Sequence, residues 1–152
     1  MHCGGVIQAS VADGKGFRTV VFFSGCEHHC KGCHNKDSWD RNYGIEFTVE
    51  DLFKNLYPLL NKEYIQGLTL SGGDPLMSYN YPEALKLAKK VKEEFPNKDI
   101  WCYTGYTYDK VKDLEIMKYI DVLVDGTYKK ELHDARLAFR GSSNQNIIYL
   151  NK

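Results

Sequence analysis

Three cysteines fall within eight residues of this chain, in the run Cys26-Glu27-His28-His29-Cys30-Lys31-Gly32-Cys33. Thiolates spaced C-x3-C-x2-C on an irregular loop can converge on one small inorganic centre, and they are the ligands that zinc and iron–sulfur clusters share. Three readings are open. A structural zinc site needs a fourth ligand, and His28, His29 or His34 can each supply one. An iron–sulfur cluster held by only three cysteines leaves one iron open to a small molecule, and chemistry takes place at that open position. Three ordinary thiols in a surface loop are the plain alternative. The other two cysteines lie far away in sequence. Cys102, between Trp101 and Tyr103, reads as a small buried hydrophobe. Cys3 is expected near a mobile terminus, with no catalytic role.

The composition narrows the setting. The 152 residues carry 20 Lys+Arg against 20 Asp+Glu, 43% hydrophobic and 26% charged. A balanced charge argues against a nucleic-acid coat or a membrane-surface module, both of which need a basic surplus. The length predicts one domain over residues 1–152. No apolar run approaches the ~18 residues of a membrane span, and the first residues lack the basic and apolar regions of a signal peptide. A cytoplasmic protein is expected. Five cysteines is an odd number, and in a reducing compartment a tight cluster points to a metal or cofactor rather than to disulfides.

The elements that would hold the cysteine loop alternate between strand and helix. Phe17 to Phe23 is a β-branched and aromatic run ending at Ser24-Gly25, which predicts a buried strand leading into the loop. Thr48 caps a helix carrying Leu52, Phe53, Leu56, Leu59 and Leu60, which should kink or end at Pro58. Tyr64 to Leu70 predicts a second strand, stopped by the turn Ser71-Gly72-Gly73-Asp74-Pro75. Pro82 opens an amphipathic helix that Pro96-Asn97 closes. Asp99 to Tyr103 predicts a strand ending at Thr104-Gly105, Tyr108 to Tyr119 a helix, Ile120 to Val124 a strand ending at Asp125-Gly126, and Asn146 to Leu150 a last strand. This order indicates an α/β protein with a mostly parallel sheet of about five strands, whose binding loops gather beyond the carboxyl ends of the strands.

The cysteine loop after the first strand resembles the signature of the radical S-adenosylmethionine (radical SAM) enzymes. Asp13-Gly14-Lys15-Gly16-Phe17-Arg18-Thr19-Val20, Gly25-Cys26 and Gly32-Cys33-His34-Asn35 resemble the glycyl-radical activating enzymes within that superfamily. Ser71 to Pro75, Trp101 to Tyr106, Asp125 to Tyr128 and Arg140 to Gln145 narrow the likeness to the branch acting on anaerobic ribonucleoside-triphosphate reductase. The resemblance implies a partial, open βα barrel. It implies a [4Fe-4S] cluster on Cys26, Cys30 and Cys33 whose fourth iron is chelated by S-adenosyl-L-methionine, cleaved to methionine and a 5′-deoxyadenosyl radical. Gly72, Gly73 and Asp74 would meet the methionine end of that cofactor, through backbone carbonyls or the Asp74 carboxylate. Gly32, Cys33 and His34 would lie against the adenine, with Thr104 and Asp125 as further contacts; Asn144 and Gln145 offer amides or simply cap the last strand. The implied partners are the reductase, as protein substrate, and an external one-electron donor such as a flavodoxin. An activase of another glycyl-radical enzyme, such as pyruvate formate-lyase, is the nearest alternative, and a non-catalytic zinc-binding interaction domain is the alternative from another class.

Overall fold

The computed structural model describes residues 2–28 and 39–150. Seven strands form one open sheet: β1 (His2–Ser10), β2 (Phe17–Phe23), β3 (Ile45–Glu46), β4 (Ile65–Gly72), β5 (Asp99–Tyr103), β6 (Val122–Asp125) and β7 (Asn146–Tyr149), in the order β3-β1-β2-β4-β5-β6-β7. The four central strands β2, β4, β5 and β6 are parallel and follow one another in chain order. β1 and β3 extend one side antiparallel, and β7 closes the other antiparallel to β6. The protein is therefore α/β, with a parallel centre and antiparallel margins.

The helices α1 (Val49–Leu60), α2 (Tyr81–Glu94) and α3 (Tyr108–Val111) share one core cluster with a single face of the sheet. Leu52, Leu56 and Leu60 of α1 and Leu87 and Val91 of α2 bury against Val21, Leu68, Leu70, Ile100 and Leu123. Alternation along each strand turns Trp101, Val122 and Val124 to the opposite face, where they pack with Phe139 and Ile147. Among the described residues no α-helix packs into that second cluster. No described helix is long and apolar enough to cross a membrane.

The structure corrects several sequence expectations. The amino-terminal segment is a nine-residue strand, and Cys3 is buried within it, 3% exposed. Its Gly4-Gly5 pair and irregular register against β2 hide the strand from a period-two reading. α1 begins as expected, with the Thr48 hydroxyl accepting from the Asp51 amide (3.1 Å), but it runs two residues beyond Pro58 to Leu60. Pro58 lacks only its own N–H, and the Asn61 amide still closes the last turn onto the Tyr57 carbonyl (3.0 Å). The helix expected from Tyr108 to Tyr119 is broken: Leu114 is extended (φ −68°, ψ 142°), and a 3-10 turn over Glu115–Lys118 follows. That break lets Ile116 enter the core beneath α2, where its amide is met by the Tyr81 hydroxyl.

Candidate functional site

The carboxyl ends of β2, β4, β5 and β6 meet at one edge of the sheet, and the loops that follow them enclose two adjoining clefts. The first, about 160 Å³, is lined by Cys26, His28, the Ser71-Gly72-Gly73 strand end, Thr104-Gly105 and Gly126-Thr127. The second, about 420 Å³, opens beyond His28 and Gly105 toward Lys110, Asp125, Lys129 and Asn144. His28, Gly105, Gly126 and Thr127 border both. Together they fall in the ~300–1,000 Å³ range of small-molecule sites.

The stem of the cysteine loop is knitted to the glycine turn. The Gly73 amide donates to the Phe23 carbonyl and the Asp74 amide to the Gly25 carbonyl, both at 2.8 Å, so pairing between β2 and β4 continues past the strands. Gly72 adopts φ +111°, and a β-carbon there would fall on the Phe23 backbone. A glycine is required because the two chains approach so closely. The Asn80 side-chain amide adds a buried bridge, donating to the Ser24 carbonyl (2.8 Å) and the Asp74 carbonyl (3.0 Å). The Cys26 amide donates to the Trp39 carbonyl (3.2 Å), which closes the neck of the loop.

Cys26 is partly exposed and borders the first cleft with Gly72 and Gly73. Cys30, Gly32, Cys33 and His34 lie outside the described residues. A soft thiolate at the mouth of a glycine-walled cleft suits an iron–sulfur cluster, and the residues present fit that group.

Of the other expected contacts, Gly72, Gly73 and Thr104 line the first cleft and Asp125 the second, whereas Asp74 lines neither. Asp74 is completely buried. Its Oδ1 accepts from the Leu76 amide (2.9 Å) and its Oδ2 from the Gly105 amide (2.9 Å) and His28 Nε2 (2.6 Å); the Thr104 hydroxyl donates to it at 3.0 Å. Asp125 is likewise tied, accepting from the Tyr108 amide (2.8 Å) and the Asn146 amide (3.1 Å), but these leave acceptor capacity toward the second cleft. Asn144 and Gln145 pin the last loops: Asn144 donates to the Thr127 carbonyl and Gln145 to the Gly126 carbonyl. Tyr106 packs edge-on against His28, with ring centroids 4.7 Å apart. Burial, then the nearby Asp74 charge, pushes the Tyr106 phenol pKa up, so its hydroxyl stays protonated. Cys102 is fully buried in the core, and burial raises its thiol pKa well above the ordinary value.

Two contributors were not singled out as site residues by the sequence. Asn80 stands at the N-cap of α2 without capping it through its side chain, and its amide spans two loops instead. His28 reads as a possible metal ligand, yet one of its ring nitrogens meets Asp74. Both contacts join residues 46 to 56 positions apart, beyond the reach of local pattern.

A family model described as a 4Fe-4S single cluster domain matches residues 12–148. That span includes the loop carrying all three clustered cysteines, so the class of protein is a single-cluster iron–sulfur domain. The chain is 44% identical over 147 residues to the anaerobic ribonucleoside-triphosphate reductase-activating protein of Enterobacteria phage T4, covering 97% of this chain and 93% of that one. It is 44% identical over 146 residues to the protein of the same name from Escherichia coli K12, covering 92% and 93%, and 44% identical over 140 residues to that from Vibrio cholerae. The chain belongs to the family of anaerobic ribonucleoside-triphosphate reductase-activating proteins.

Proposed function

We propose that this protein is a radical SAM activase that generates a glycyl radical on anaerobic ribonucleotide reductase. The observation that carries the reading is the meeting of Cys26 with the Gly72-Gly73 strand end in one cleft at the carboxyl edge of a parallel sheet. The four parallel strands stand in chain order, and the α-helices of the described residues pack on one face. That is the winding of a βα barrel rather than of a doubly wound sheet with a switch point, and it supports a partial barrel left open at both margins.

In this reading Cys26, Cys30 and Cys33 hold a [4Fe-4S] cluster. With SAM bound beside it, that cluster would supply the single electron needed to cleave the sulfonium to methionine and a 5′-deoxyadenosyl radical, which would take a hydrogen atom from a glycine Cα of the reductase. The Gly72 and Gly73 backbone admits the methionine end at close approach. Thr104 and Asp125 border the path of the remainder, and the family resemblance assigns Gly32 and His34, neighbours of the third cysteine in sequence, to the adenine. The reducing equivalent comes from an external one-electron donor such as a flavodoxin. A cytoplasmic location accompanies this reading, since a reducing medium keeps the thiols available as ligands.

The test is electron paramagnetic resonance on protein reconstituted anaerobically with iron and sulfide and reduced with dithionite, with and without SAM. A reduced [4Fe-4S] signal that changes on adding SAM is expected, followed by a glycyl-radical signal when the reductase is present. Cys26→Ala should lose iron and signal together, while Cys102→Ala keeps both. Stoichiometric zinc with no such signal would overturn the reading in favour of a zinc-binding domain. A SAM response without a radical on the reductase would redirect it to another glycyl-radical enzyme.

A further inference from the structure

We propose that Asp74 and His28 form a strut that sets the shape of the cofactor cleft, with Asp74 a positioning residue rather than the acceptor for the cofactor's ammonium group. The inference rests on the reading of this cleft as the SAM site and concerns how two of its residues act.

A carboxylate offers about four acceptor positions on its two oxygens. Around Asp74 the Leu76 amide, the Gly105 amide, the Thr104 hydroxyl and His28 Nε2 supply four donors, all within 3.0 Å. The carboxylate is completely buried and borders neither cleft. Among the described residues these donors occupy the acceptor positions of the carboxylate. The four donors come from three separate segments: the cysteine loop, the turn after β4 and the turn after β5. Asp74 therefore fixes the distances between the walls that a cofactor would touch.

His28 transmits this to the cleft itself. It stands two residues after Cys26 and borders both cavities. Its ring is held from three sides: Nε2 donates to Asp74, Tyr106 packs edge-on at 4.7 Å, and Gly105 lies so close that a β-carbon there would overlap the ring. A side chain held this way has one orientation, and the wall it forms is set before any ligand arrives.

The experiment compares His28→Ala, His28→Gln, Asp74→Asn and the His28→Ala/Asp74→Asn pair, each reconstituted anaerobically. Iron content, SAM affinity by titration and the SAM-induced change in the cluster's paramagnetic signal are read for each. His28→Ala should keep its iron, weaken SAM about tenfold, the scale seen when a residue that orients a site is removed, and shrink the signal change. His28→Gln, whose amide reaches the Nε2 position, should restore most of both. Adding Asp74→Asn to His28→Ala should cost less than Asp74→Asn costs alone, because the two act as one unit. Wild-type SAM affinity in His28→Ala, or additive losses in the pair, would overturn the strut. If Asp74→Asn fails to fold, the His28→Ala and His28→Gln comparison decides the matter unaided. A wild type with no SAM response overturns the functional reading and the strut with it; a responsive wild type beside an indifferent His28→Ala overturns the strut alone.

Discussion

The guanidinium of Arg18, fully buried on the sheet face that carries no helix, meets the carboxylate of Asp99 at 2.6 Å. The contact is an ion pair without hydrogen-bond alignment at that oxygen. The guanidinium's hydrogen bonds go instead to the Thr69 hydroxyl (2.8 Å), the Leu68 carbonyl (2.9 Å), the Lys15 carbonyl (3.0 Å) and the Asp99 backbone carbonyl (3.3 Å), and its carbon lies 5.5 Å from the Trp101 ring. Burial lowers the Arg18 pKa and the Asp99 charge opposes that shift. Arg18 thus joins β2, β4 and β5 at the end of the strands remote from Cys26. Arg18→Ala leaves the Asp99 carboxylate and three carbonyls without their partner and should destabilise the fold by about 3–5 kcal/mol, read as a lower urea midpoint. Iron loading at low temperature should survive the change.

Gly105→Ala should reproduce the His28→Ala defect without touching His28. The added β-carbon would overlap the imidazole, so the ring must leave its place beside Asp74. Weakened SAM binding with iron retained is expected from titration of the reconstituted protein. Unchanged binding would mean that the ring's position does not matter.

Asn80→Ala removes a buried amide that serves two carbonyls, those of Ser24 and Asp74. The Asp74 carbonyl keeps the Met77 amide (3.2 Å), whereas the Ser24 carbonyl loses the Asn80 donor, at a cost of about 1–3 kcal/mol. The loss should lower the thermal midpoint, and because the bridge joins the cysteine-loop stem to the glycine turn, it should also slow cluster assembly, followed by absorbance during reconstitution.

Stability should fall on the alkaline side. Burial raises the thiol pKa of Cys102 and of Cys3, and burial followed by the Asp13 charge raises the Tyr103 phenol well above its usual range. These groups bind protons more tightly folded than unfolded. Their contribution is complete below the unfolded values, about 8.5 for a thiol and about 10 for a phenol, and is lost as pH rises above them toward the folded values. Urea midpoints should be level near neutrality and decline beyond about pH 9, with a shallower decline in Cys102→Ala. The same burial predicts that Cys102 reacts with a thiol reagent only after unfolding.

Much of this protein was legible in local pattern. The alternation of β-branched runs with amphipathic stretches located β2, α1, β4, α2, β5 and β6, and a strand always preceded the segments with chemical character. β1 has no readable period because glycines and irregular pairing erase it, and the apolar spacing over 108–119 is blind to one extended residue at Leu114. Thr48 capped α1 as expected, whereas Asn80, at the equivalent place before α2, spends its amide on tertiary partners.

The sequence by itself determined the donor chemistry and the order of the loops: three thiolates at C-x3-C-x2-C, a Gly-Gly-Asp-Pro turn, and further turns at Thr104-Gly105 and Asp125-Gly126. Residue type and spacing suffice there, because ligand identity and strand order are local properties. Only the tertiary structure decided which way each polar side chain turns. Asp74 reads in the sequence as a contact for the cofactor's methionine end, and the fold shows its carboxylate accepting from donors in loops 30 and 46 residues away. A carboxylate's free valence depends on what packs around it, and packing is settled only when distant segments meet.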